Sequence, residues 1–359
     1  MQTPLLVDCL LHPKERVPSL SLNQWDLLIR QARQARLMAR LSLVCRENGV
    51  WDAVPEQSKA HLLSADTVAA KQRQTVDWEV HALSKALSRI DVPLVLLKGS
   101  AYHIAGLDAG RQRVFNDVDI LVPRELISKV ELTLRNYGWI TGIMDSYDQR
   151  YYRKWMHELP PLRHITRKSS LDVHHSILPD TARFHPDPKR LLADAVCLDA
   201  QRNIYALSPL DRIIHSATHL FHEGEFENAL RDLFDLKYLL DEFSGRDAQF
   251  WQKLTARAAT LDLSLPTFYA LHYCRQVLDS QIPQDTLDAL RGASGVGLRK
   301  SAMDFLYRRV LRPDHQSCDD GFSGFARWCL FVRSHYMRMP LHLLVPHLFR
   351  KAMQPDSKG

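Results

Sequence analysis

The chain has 359 residues, 45% of them hydrophobic, and a formal net charge of +6, enough to bury a sizeable core in two or three domains or in one core with helical additions. Its six cysteines (Cys9, Cys45, Cys197, Cys274, Cys318, Cys329) form no CxxC pair, which argues against a disulfide framework or a zinc knuckle and leaves reduced packing thiols. No run approaches the roughly 18 apolar residues of a spanning helix, and Asp8 interrupts an apolar start with no basic region before it, so the cytoplasm is the expected compartment.

Residues 20 to 90 read as helices. In "EVHALSKALSRI" the apolar positions Val80, Leu83, Leu87 and Ile90 fall on one helical face. The rhythm then changes. Pro93 pushes Val92 towards an extended conformation, and "PLVLL" reads as a short buried strand. "GSAYHIAG", residues 99 to 106, is the turn and short helix after it. "VDILV" is a second strand, closed by Pro123. The following "ELISKVELTLRNYG" carries Leu126, Ile127, Val130, Leu134 and Tyr137 on one face, with Gly138 placed for a left-handed C′ position. Strand candidates follow at 139 to 143, 161 to 166 and 170 to 177.

After residue 180 the pattern is helical again. Ser208 is a candidate N-cap, with Pro209 at N1 and Asp211 at N3; Leu210, Ile213, Ile214, Ala217 and Phe221 make the buried stripe. "ENALRDLFDLKYLLDEF" is a second helix. The expected organisation is an N-terminal helical segment (1–90), a small α/β core (91–180) and a C-terminal helical domain with a basic tail (181–359). Between Arg299 and Lys351 ten Lys/Arg stand against four Asp, an excess equal to that of the whole chain. Such a segment 299–351 either attracts nucleic acid, a membrane surface or an acidic partner, or is a solvated helical face. Pro340 and Pro346 break its apolar run, which favours helices packed back on the domain over one long amphipathic helix. The last seven residues are expected to fray.

Two carboxylates in "VFNDVDILVP" need an explanation, because each costs free energy to bury. Residues i and i+2 of a strand share a face about 6.5 to 7 Å apart. Asp117 and Asp119 therefore project together, with Val118, Ile120 and Val122 on the other side. Such a pair suits two Mg²⁺ ions; alternatively it is a strand end solvated or paired with Arg111 or Arg113. Upstream, "LLKGS" ends a buried strand with Gly99 and Ser100 at the turn into a helix, where backbone N–H groups can hold phosphate oxygens and Lys98 can meet the same triphosphate. Strand, GS turn, helix and a DxD strand together are more specific than either part.

These residues resemble the DNA polymerase β-like nucleotidyltransferase superfamily, with its GS turn, DhD/E strand and third carboxylate on a neighbouring strand. More narrowly, "VPLVLLKGSAYHIAG", "RVFNDVDILVP" and "LDVHHSIL", with the helices "PLDRIIHSATHLFHEG" and "ALRDLFDLKYLL", look like the bacterial uncharacterised nucleotidyltransferase family over residues 20 to 245. The resemblance implies an α+β fold: a small mixed-sheet core flanked by helical segments. It implies an enzyme that moves a nucleoside monophosphate from an NTP such as ATP to a hydroxyl-bearing acceptor, using two Mg²⁺ ions, with Mn²⁺ as a substitute. By that resemblance Gly99 and Ser100 bind the nucleotide's phosphates and Arg113 contacts phosphate, beside the Lys98 already placed there; Asp117, Asp119 and Asp172 are the catalytic, metal-holding set, with Asp172 the third carboxylate that helps activate the attacking hydroxyl. The interval from Ser100 to Asp117 is longer than usual in the superfamily, but the narrower family shares it.

Some residues keep two readings. Asp172 is either that third carboxylate or a surface group on an edge strand. His174 either orients Asp172 or contacts substrate, or else it simply packs. His215 and His219, one helical turn apart, either share a metal or, more simply, pack the helix pair, with His219 near Asp235 or Arg231. A nucleotidyltransferase-like module that binds a nucleotide, RNA or a protein without turnover is the alternative function.

Overall fold

The computed structural model describes residues 3–142, 146–222, 224, 226–295 and 300–340. Its centre is a seven-stranded mixed sheet built from β1 (Leu94–Leu96), β2 (Asp117–Leu121), β3 (Trp139–Thr141), β4 (Leu162–His164), β5 (Ser170–His174), β6 (Val196–Asp199) and β7 (Ile204–Ala206), in the order β3-β4-β5-β2-β1-β7-β6. Helices flank it on both sides in sequence, so the fold is α+β as expected. β1 is bonded on both edges, antiparallel to β2 and parallel to β7, and all three of its residues are buried. A strand covered on every side has to be continuously apolar, which is why "LVL" carries no alternation.

The Glu56–Ser88 helix packs against β1 and β2 through its last turns, where Val76, Val80, Leu83 and Leu87 are buried; Ile90 lies beyond its end. Gly138 takes the left-handed conformation expected of it (φ 86°), just past the Ile127–Asn136 helix. At the Pro209–His222 helix, the Asp211 N–H donates to Ser208 Oγ (3.2 Å), the predicted cap. This helix and Ala229–Ser244 pack on each other and reach the helix and turn that follow β1.

Two strands were not foreseen. β6 and β7 lie beyond residue 180, where the sequence reads as helical, and they extend the sheet on the far side of β1. They have four and three residues, too few to show a periodicity to read.

The Ser323–Arg338 helix ends two residues before Pro340, as proline dictates. Several arginines of the basic segment are engaged within the fold. Arg309 pairs with Asp320 (2.9 Å), Arg327 with Asp319 and Asp314 (2.6 and 3.1 Å), and Arg312 and Arg333 donate to the Cys318 and Phe221 carbonyls. Residues 341–351, the break at Pro346 and the frayed end lie outside the described residues. Among the described residues no helix is long and apolar enough to cross a membrane.

Candidate active site

Strand register assembles the site. β1 runs antiparallel to β2, with Leu96 opposite Ile120, and the Leu97 N–H donates to the Asp119 carbonyl (2.9 Å). The bend after β1 therefore arrives where β2 begins. β5 runs parallel to β2 with Asp172 beside Asp119, and partners in adjacent strands project to the same face. Asp117, Asp119 and Asp172 thus share one face at one end of the sheet. β5 is interior, between β2 and β4, so Asp172 does not lie on an edge strand.

The three carboxylates have different surroundings. Asp119 is buried, and burial alone would raise its pKa. The Lys98 ammonium 2.8 Å away and a hydrogen bond from His174 Nε2 (3.2 Å) outweigh that and hold it far below the usual carboxylate range. Asp117 is exposed at the strand's start, yet partial desolvation and the Asp119 charge push its pKa up. Asp172 is pushed up to about 7 by burial first, then by the charges of Asp119 and Glu158. Its contribution to stability is fully present below the unfolded value of 3.8 and is lost as pH rises to about 7. The melting temperature of the metal-free protein should therefore fall below that of Asp172→Asn progressively between pH 4 and 7 and then run parallel to it. A gap that widens towards acid would contradict this placement.

Lys98 occupies a left-handed backbone conformation (φ 45°), uncommon for a residue with a side chain. It turns the chain from β1 into the Lys98–Ile104 helix while its ammonium rests on Asp119.

Gly99 has a role the sequence did not disclose. A Cβ there would lie 2.0 Å from Arg113 Nη1, so the absent side chain makes room for a guanidinium. Arg113 in turn is largely buried, with Nε 2.8 Å from Asp235 Oδ2 and Nη2 3.8 Å from Asp232 Oδ1. Arg113 also lines the cavity described below, so its guanidinium is engaged by two carboxylates beside the place expected to receive phosphate. Arg111 pairs with Asp108 and Glu47, so neither arginine forms an ion pair with the DxD carboxylates. Ser100 is buried, and its hydroxyl donates to the Leu97 carbonyl (2.9 Å). Only its backbone amide, in the first turn, is of the kind that lacks an intrahelical acceptor.

A polar cavity of about 210 Å³ opens between the bend, the start of β2 and the two covering helices. It is lined by Lys98, Gly99, Asp117 and Asp119, and by residues that sequence reasoning missed as site residues, among them Asn116, Ser216, Asn228, Arg231 and Asp232. A signal existed in "ALRDLFDLKYLL": Arg231, Asp232 and Asp235 interrupt a stripe of buried Leu230, Leu233, Phe234 and Leu236, and charges among core positions need partners. His219 lines the cavity with Arg231, Asp232 and Asp235; against burial, Arg231 and then Arg113 hold the pKa of Asp232 down. His215 is buried, and desolvation keeps it neutral. Among the described residues, the convergent His and carboxylate side chains are instead His157, Glu158 and His174.

A mixed sheet carrying three acidic side chains beside a helix-starting bend defines a nucleotidyltransferase-like protein. The chain belongs to the uncharacterised nucleotidyltransferase family, whose family model matches residues 21–279, so the relationship extends beyond the helices quoted above. No curated protein and no solved structure matches the sequence.

Proposed function

We propose that the protein transfers a nucleoside monophosphate from an NTP to a hydroxyl-bearing acceptor with release of pyrophosphate. The observation that supports this most is the in-register placement of Asp119 and Asp172 beside the bend. Three oxygen-donor carboxylates on one sheet face suit hard divalent cations, and the raised pKa values of Asp117 and Asp172 mark a cluster short of positive charge. Asp117, Asp119 and Asp172 would hold Mg²⁺, or Mn²⁺ in its place, which supplies neutralisation of the phosphate charge.

The chain's own groups do the rest. Backbone amides of Gly99 and Ser100 bind phosphate oxygens at the helix start. The Lys98 ammonium exchanges Asp119 for the nucleotide phosphates. Asp172 accepts the proton of the acceptor hydroxyl as its oxygen bonds to the α-phosphorus, and the bond to the departing pyrophosphate breaks. Most of the acceleration comes from positioning.

Incubating the protein with labelled NTP, Mg²⁺ and cell extract should yield a product that carries the nucleotide, with matching pyrophosphate. Calorimetric binding of Mg²⁺ and NTP with no labelled product from any extract would point to a binding module instead. The Lys98–Asp119 pair, which already supplies a cation internally, is what favours that second reading.

A further inference from the structure

His157, Glu158 and His174 meet beside the carboxylates but belong to a different chemistry. After the Ser146–Trp155 helix the chain returns along β5. The His175 N–H donates to the His157 carbonyl (2.8 Å), the Leu159 N–H donates to the Val173 carbonyl (2.9 Å), and Glu158 bridges antiparallel to His174. Backbone bonding thus fixes where all three side chains start. Their ligand-type atoms lie within 4.8 Å of one another. His157 is 7% exposed and His174 3%.

The hydrogen-bonding pattern there is incomplete. His174 Nε2 sits 3.2 Å from Asp119 Oδ1, and since a carboxylate only accepts, Nε2 carries the proton. The ring stands between two carboxylates, Asp119 at Nε2 and Glu158 at Nδ1, whose charges raise its pKa against burial, and a metal ion at Nδ1 would take the place of the second proton. That Nδ1 is buried and makes no hydrogen bond, although Glu158 Oε2 lies 3.3 Å away. His157 Nδ1 is also buried without a hydrogen bond. Leaving a polar atom in that state costs about 1–3 kcal/mol. Two imidazoles and a carboxylate thus converge in a buried corner where one cation can engage all three.

We propose that His157, Glu158 and His174 form a binding site for a divalent transition-metal ion, zinc fitting best, separate from the aspartate cluster. Two imidazoles and a carboxylate are a zinc donor set with a fourth position left open, whereas Mg²⁺ takes oxygen. Tetrahedral coordination at about 2.0–2.1 Å sets neighbouring ligand atoms roughly 3.3–3.4 Å apart, the spacing already present between His174 and Glu158. The His174 to Asp119 hydrogen bond matches the carboxylate support that metal-bound imidazoles usually have. The site does not depend on nucleotidyl transfer.

The test is zinc content by mass spectrometry, and Co²⁺ absorption, on chelator-stripped full-length protein titrated with Zn²⁺ or Co²⁺. Wild type should take up one ion per chain, with a Co²⁺ spectrum of nitrogen ligation. Glu158→Gln, close in shape, and His157→Ala should each bind at least about 100-fold more weakly, while melting curves confirm that they are folded. Asp117→Asn should bind as wild type does. Loss of the ion in Asp117→Asn with retention in Glu158→Gln would assign it to the aspartates and overturn the proposal. So would a His174 ring found doubly protonated by NMR at neutral pH and unchanged by zinc.

Discussion

Asp117→Asn is expected to slow pyrophosphate release by about 10²–10³-fold or more while melting at or above the wild-type temperature. The two effects have one cause. Asp117 stands exposed at the start of β2, and its charge is disfavoured by partial desolvation and by Asp119. Asparagine keeps the shape and removes the repulsion, so the metal-free fold gains. The same substitution removes a negative ligand from the cluster, so Mg²⁺ should raise the melting temperature of wild type and leave that of the variant nearly unchanged. A residue with a purely structural role would show the opposite pattern, with lost stability leading lost activity. If the variant turns over its true acceptor at the wild-type rate, the catalytic reading of the aspartates fails.

Arg113→Ala should destabilise the protein by about 3–5 kcal/mol, the range for removing one partner of a buried ion pair. Asp235 would lose its 2.8 Å contact in a region where burial already raises its pKa. Asp232 would keep Arg231 at 2.7 Å. Gly99 provides the control, because a methyl group there collides with the Arg113 guanidinium. Gly99→Ala should be strongly destabilising in wild type and mild in the Arg113→Ala background, a coupling that urea denaturation in a double-mutant cycle would read directly. If instead Arg113→Ala leaves stability within about 0.5 kcal/mol and abolishes NTP binding, the arginine serves phosphate after all.

The parts of this protein that could be read from the sequence are those whose determinants are local. β1, the bend, β2 and β5 each announce themselves within a few residues: a proline that extends the chain, an apolar run, a glycine-serine turn, carboxylates spaced by two. The helix cap at Ser208 is equally local. What stayed hidden depends on partners far along the chain. Arg113 finds Asp235 on a helix 122 residues away, so no window around "RQRVFND" could tell a phosphate ligand from a buried ion pair. Nor could it tell what fills the space that Gly99 leaves. β7 is a strand because β1 offers it an edge, and β6 because β7 does, not because their own residues insist on it. His157 and Glu158 follow no ligand spacing; they join His174 only because the chain folds back along β5.

The pairing of β1 with β7 also bears on how the chain is made. Leu94 must wait for Ile204 to be synthesised before its outer edge is closed, which at about 5–20 residues per second leaves an apolar strand unpaired for roughly 5–20 s on the ribosome. During that interval the nascent polypeptide carries a sticky, half-zipped edge. A shortened product ending near residue 180 would keep it permanently, and would be a substrate for chaperones or an aggregate.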